Sequence, residues 1–237
     1  MITKVPKKSA PLNAREKLRD SLRKRILEGE FATGDLLPSE RTLVEESGLS
    51  RGSIREAIRA LEVEGLIETN RGRFGGSKVI VPKRDRLIHL VDIFVRANGV
   101  SLSSLLDCRA AVEPMMARLA ARHITDADLA RLEKLHEEFI ASADDLVTYR
   151  KINYAWHLQI ARISQNEPLM ALIEPILNIA LESKAYENVT TPENRQRAIG
   201  AHSDVMSALR AKDEAGAAFA MEAHLTSYSR LTRAVES

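Results

Sequence analysis

Asn153 and His157, in the stretch NYAWH, stand four residues apart in a run that otherwise reads as helix. Four residues turn a helix by about 400°, so the amide and the imidazole project from one face about a turn apart. Such a pair can give a metal ion two ligands, and it can equally be an accident of packing around an ordinary buried histidine. Further ligands have to come from the other histidines, at 89, 123, 136, 202 and 224. If the last two helices turn at AKD near Asp213, His202 lies eleven residues before the turn and His224 eleven after it. Both then stand about 16 Å from the turn, level with each other on adjacent helices. Ile199, Val205, Met206 and Leu209 put His202 beside the buried side, and Met221 and Leu225 do the same for His224. An Asn/His pair on one helix and two level histidines on others can converge inside a bundle.

Three imidazoles with open coordination positions suit a sensor or a hydrolytic centre. A hydrolytic centre needs a general base near its activated water. Glu113, in LLDCRAAVEP, is the candidate, with no further nucleophile or oxyanion motif beside it. Arg109 precedes Glu113 by four residues, so the two either pair on a helix surface or turn inward, where Arg109 grips an organic acid.

A second chemistry-bearing set lies nearer the start. Arg51, Arg55 and Arg59 recur every four residues, and Ile54, Ile58 and Leu61 form an apolar stripe on the other side. An apolar face packed on neighbouring helices leaves such arginines facing solvent. A guanidinium fork matches guanine O6/N7 or a pair of phosphate oxygens. Ser50, Arg51, Ser53 and Arg55 are at the helix start, the part of a recognition helix that meets base edges. Arg41 is placed for a backbone contact. Arg71 and Arg73 flank Gly72 in a turn whose glycines allow close approach to the sugar-phosphate chain or minor groove. The plain alternative is a solvated charged face of Arg–Glu pairs.

These residues need elements to position them. NAREKLRDSLRKRILEGEF reads as a helix, with Asn13 placed to cap it and Gly29 just past its end. SERTLVEESG and SRGSIREAIRALEVEG follow as helices capped by Ser39 and Ser50 and stopped by Gly48 and Gly65. LIET and KVIV flank the turn NRGRFGGS, a β-hairpin ended by Pro82. Three helices and a hairpin make a winged helix-turn-helix over 13–82, after a basic arm at 1–12 expected to be disordered. Beyond residue 85 only helical periodicity appears, in segments 85–98, 101–122, 125–142, 145–165, 167–186, 192–211 and 213–235. Pro114 is placed to bend the second of them, and Pro168 and Pro192 mark starts. The expected fold is therefore mainly α, a winged helix followed by an antiparallel all-α bundle over 85–235.

Composition agrees. Residues 1–86 carry a net charge of +6 and the remainder −4, a basic front and an acidic back. Eight of eleven glycines precede residue 77, so turns crowd the front. One cysteine, Cys108, excludes an internal disulfide. No apolar run approaches the ~18 residues of a membrane span, and the basic start lacks the apolar core of a secretion signal, so a cytoplasmic protein is expected.

The run LPSERTLVEESGLSRGSIREAIRALEVEGLIETNRGRFGGSKVIVP resembles the DNA-binding domain of the GntR family of bacterial transcription regulators. The resemblance implies operator contacts from Arg41, Ser50, Arg51, Arg55 and the wing around Arg71 and Gly72. The helical remainder is similar to the FCD effector domain of the FadR-like subfamily. Many such domains hold a divalent metal with three histidines and an Asp or Asn, in an order that Asn153, His157, His202 and His224 match. Asparagine in place of the commoner aspartate offers a weaker oxygen ligand, and an imidazole-rich set suits zinc or nickel. The resemblance also implies a small carboxylate effector near Arg109, a homodimer and a palindromic operator. The expected function is a regulator, a repressor, under effector control. The alternatives are a metal-dependent hydrolase joined to a DNA-binding module, and a non-specific architectural DNA binder.

Overall fold

The computed structural model describes residues 14–70, 72, 75–82 and 84–236, without the side chains at 185, 231 and 233–236. The arm at 1–12 and the cap at Asn13 lie outside them. The chain divides into two compact units between Lys83 and Arg84.

In the first unit, α1 (Ala14–Leu27), α2 (Glu40–Ser47) and α3 (Arg51–Glu64) precede β1 (Ile67–Asn70) and β2 (Gly76–Val79). Each of the last two helices starts on a serine whose hydroxyl takes up an orphan backbone N–H. Ser39 accepts from Thr42 N and Ser50 from Ser53 N, at 3.1 and 3.2 Å. Gly48 ends α2 at φ 69, donating to Val44 O at 2.9 Å. This left-handed backbone lets the cap of α3, Ser50, follow two residues later, which is the turn of the helix-turn-helix.

Leu22, Leu43, Ile54, Leu61, Ile67 and Val79 close the core between the helices and the hairpin. Each such buried aliphatic side chain contributes about 1.5–3 kcal/mol. The strands pair antiparallel in the register Ile67↔Val79 to Asn70↔Gly76. β2 thus begins two residues earlier than the apolar run KVIV indicates, because pairing with β1 and not hydrophobicity sets its start. Residues 34–37 bond along the other edge of β2, with Leu37 N donating to Ser77 O and Val79 N to Asp35 O, so that edge is not left bare.

The second unit is helical: α4 (Arg84–Ala97), α5 (Leu102–His123), α6 (Asp126–Ala141), α7 (Leu146–Ile163), α8 (Glu167–Glu182), α9 (Lys184–Val189), α10 (Pro192–Arg210) and α11 (Glu214–Glu236). Helix α5 lies at its centre, against α7, α8, α10 and α11, and continues through Pro114. The expected single helix over 167–186 is two. Ser183 takes an extended conformation between α8 and α9, its hydroxyl donating to Ala180 O and accepting from Tyr186 N at 2.9 and 3.1 Å. Side-chain capping replaces the missing backbone ladder there. Lys212, at φ 53, turns the chain from α10 into α11, and Asp213 Oδ1 accepts from Gly216 N at 2.9 Å to start the last helix. No helix among the described residues is long and apolar enough to cross a membrane.

Candidate metal centre and nucleic-acid interface

Helices α7, α10 and α11 bring His157, His202 and His224 together, with one nitrogen of each within 4.8 Å of the others. All three are buried. The hairpin symmetry about Asp213 brings His202 Nε2 to 3.2 Å from His224 Nε2. Nitrogen ligands at ~2.0–2.1 Å from a metal stand roughly 3–3.5 Å from one another. The His202–His224 pair meets that spacing, and the full set needs about an ångström of side-chain adjustment.

Protonation favours ligation. Burial pushes all three imidazoles below their ordinary value; the neighbouring histidines add to the shift of His202, and His157 and Arg109 to that of His224. Burial thus favours the neutral form of each, the form that can ligate a metal. For His157 the hydrogen bonds define the tautomer. Its Nδ1 stands 2.5 Å from Glu113 Oε2, and its Nε2 stands 3.3 Å from an Arg109 Nη. An ionised carboxylate only accepts and a guanidinium only donates, so Nδ1 carries the proton and Nε2 the lone pair. Burial alone would raise the Glu113 carboxyl, but Arg109 and His157 overcome it and hold Glu113 at about 2. A carboxylate behind a histidine fixes ring and tautomer in metal sites. Glu113 therefore stands behind His157 and fixes its ring.

Arg109 and Glu113 do pair at the i,i+4 spacing, Nε to Oε1 at 2.6 Å, and the pair is buried in the interior instead of lying on a helix surface. Asn153 is buried too. Its Nδ2 donates to Tyr186 Oη at 3.1 Å, while its Oδ1 has no hydrogen-bond partner. A buried amide oxygen left unpaired costs roughly 1–3 kcal/mol, and a cation would satisfy it. The three imidazoles suit a divalent ion, and the orphan Asn153 oxygen stands on the same helix one turn from His157.

Several residues of this interior were missed by sequence reasoning. The His202 ring is sandwiched between Trp156 and Phe139, with centroids at 3.8 and 4.5 Å and planes within 8° and 17°. These faces fix the ring, since His202 Nδ1 is buried without a partner. Tyr149, Tyr186 and Tyr228 line the same region, and burial holds all three above the ordinary tyrosine range. Trp156 is evident in the sequence beside His157, but its stacking on His202 from another helix is not; Tyr186 depends on α9, which gave no periodic signal.

In the first unit, Arg51, Arg55 and Arg59 are exposed along α3, while Ile54, Ile58 and Leu61 are buried. Arg55 Nε lies 3.0 Å from Glu40 Oε2, a pair between α2 and α3. Arg41–Glu45 and Arg59–Glu56 pair within their helices at 3.6 Å each. Ser50 and Ser53 share a hydroxyl contact at 3.0 Å besides the cap, so both first of all build the start of the reading helix. Gly72 is exposed at φ 117, a backbone only glycine adopts easily, and no described residue lies within 4 Å of where a β-carbon would stand. Arg71 and Arg73 lie outside the described residues.

A winged helix with an exposed arginine face, on a chain that also encloses a buried histidine cluster, defines a DNA-binding regulator with a sensing domain. Residues 14–74 match the family described as bacterial regulatory proteins, gntR family, and residues 104–227 match the FCD domain. The chain belongs to the GntR family of regulators and carries an FCD domain. It is 33% identical over 177 residues to the Glc operon transcriptional activator of Escherichia coli (strain K12), covering 71% of this chain and 67% of that protein. It is 30% identical to the HTH-type transcriptional repressor NanR of Klebsiella aerogenes, over 93% of this chain and 85% of that one. Among solved structures, Streptococcus agalactiae GntR is similar at 26% identity and a TM-score of 0.58, over 91% of this chain and 99% of that chain. These relatives are regulators; the expected regulator stands, and the metal-dependent hydrolase has no support from them.

Proposed function

We propose that the chain is a homodimeric regulator of the FadR-like branch that reads a palindromic operator and responds to a small carboxylate in its helical unit. Zinc or nickel would be held by His157, His202 and His224 with Asn153, and would supply an electrophilic anchor for an acid. The observation that carries this reading is the buried set of three imidazoles beside one fixed cation, Arg109. Arg41, Arg51, Arg55 and the wing would contact DNA, with Ser50 and Ser53 at the start of the reading helix. A second copy has a surface to meet: α4 exposes Leu87, Leu90 and Phe94 along one stripe, with Ile93 beside it. An isologous pair would hold two reading helices over two half-sites. The effector acts by binding unequally to dimer geometries that do and do not fit the operator. Repression is the polarity proposed, since release by a metabolite needs no contact with polymerase.

The test is binding to the DNA upstream of the protein's own operon, with and without chelator. Specific, salt-dependent binding is expected, and Arg51→Ala with Arg55→Ala should abolish it. His202→Ala should lose the metal and the effector response while still binding DNA. Full metal retention in His202→Ala would overturn the ligand set, and unchanged specific binding in the arginine variant would overturn the reading helix.

A further inference from the structure

The histidine cluster is enclosed, so an effector needs a way in. Of its three members, His224 also borders a groove between α10 and α11, a cavity of about 460 Å³, within the ~300–1,000 Å³ usual for small-molecule sites. The walls are open because Ala198 and Ala201 face the groove from α10. Asn194, Ser227 and Tyr228 supply polar atoms, Arg197 and Arg230 complete the lining, and no carboxylate among the described residues contributes to it. Both arginines are exposed, and neither makes a hydrogen bond or ion pair among the described residues. The neighbouring acid Glu193 acts on Arg197 only electrostatically.

The hairpin places these two charges together. Arg197 lies sixteen residues before Asp213 and Arg230 seventeen after it, so they stand at about one level on the two helices, and both line the groove. That level is five to six residues beyond the histidines, roughly 8 Å along the helices. Two guanidinium forks at one end and an enclosed polar site at the other describe a receptor with two anion-binding ends.

We propose that the α10–α11 groove is the mouth of the effector site, and that Arg197 and Arg230 take the second carboxylate of a dianionic acid whose first lies at the His224 end. This rests on the reading of the helical unit as a carboxylate sensor and narrows its ligand. A guanidinium reaching back covers part of the distance, so diacids of about four to six carbons fit. A monoacid of the same length satisfies only the inner end.

Calorimetric titration of the metal-loaded protein with succinate, glutarate and adipate, each against its matched monocarboxylate, tests this. At least one diacid should bind more tightly than its monoacid, on the order of ten-fold or more. Arg197→Ala with Arg230→Ala should bring that ratio to about one, and Arg197→Lys with Arg230→Lys should keep part of it. A ratio near one in the parent protein, or a ratio that survives the alanine pair, overturns the proposal. Monoacid binding in that case leaves the sensor reading intact. A parent protein that binds neither kind of acid overturns both.

Discussion

Each unit sets an arginine against a glutamate, under opposite conditions. Arg55 and Glu40 meet at 3.0 Å with 68% and 46% of their side chains exposed; Arg109 and Glu113 meet at 2.6 Å with 2% and 4% exposed. The exposed pair contributes about 0–1 kcal/mol and can exchange its glutamate for a phosphate at little cost. The interior pair cannot let go without leaving a charge buried and unpaired. Charge in the winged helix is for exchange, and charge in the bundle is for holding a tautomer and a ring in place.

The sharpest way to break that contrast is to remove one glutamate from each unit. Glu113→Ala should destabilise the helical unit by about 3–5 kcal/mol in urea unfolding, and Glu40→Ala should cost under ~1 kcal/mol. Arg109→Met with Glu113→Leu should regain most of the loss while abolishing effector response. Equal costs for the two single variants would sink the distinction.

Acid should separate the units next. His157, His202 and His224 have folded values below their unfolded ones, as does Glu113. Each therefore stabilises fully above its unfolded pKa, about 6.5 for histidine and 4.3 for glutamate, and loses that contribution as pH falls below it. In chelator, the helical unit should begin to weaken near pH 6 and continue through the carboxylate range toward about 2, while the winged helix holds until the carboxylate range. Far-UV circular dichroism of the two separate units across pH would show it; a first transition in the winged helix would contradict it.

The smallest effect sharpens the exchange side. Arg41→Ala should weaken DNA binding about equally across sequences and lower the salt slope by about one, without a change in unfolding midpoint. A loss confined to the specific operator would instead make Arg41 a base reader.

What was legible in the sequence had a short-range signature. Helix caps at Ser39 and Ser50, the glycine at 48 and the alternating stripes of α3 gave the winged helix directly. The level placement of His202 and His224 followed from equal counts about Asp213. Side-chain partners across elements were not legible. The sequence offered Glu113 as a surface partner, general base or effector contact, and its orientation behind His157 depends on how α5 meets α7. Tyr186 was hidden because the break at Ser183 carries neither glycine nor proline and rests on two side-chain hydrogen bonds.

The ring stack on His202 has one more consequence. Trp156 is the only tryptophan of the chain, and it lies face to face with one wall of the histidine cluster. Indole emission from this protein thus originates beside the candidate metal ligands and nowhere in the winged helix. The molecule carries an unlabelled optical gauge of its sensing interior, blind to the half that touches DNA.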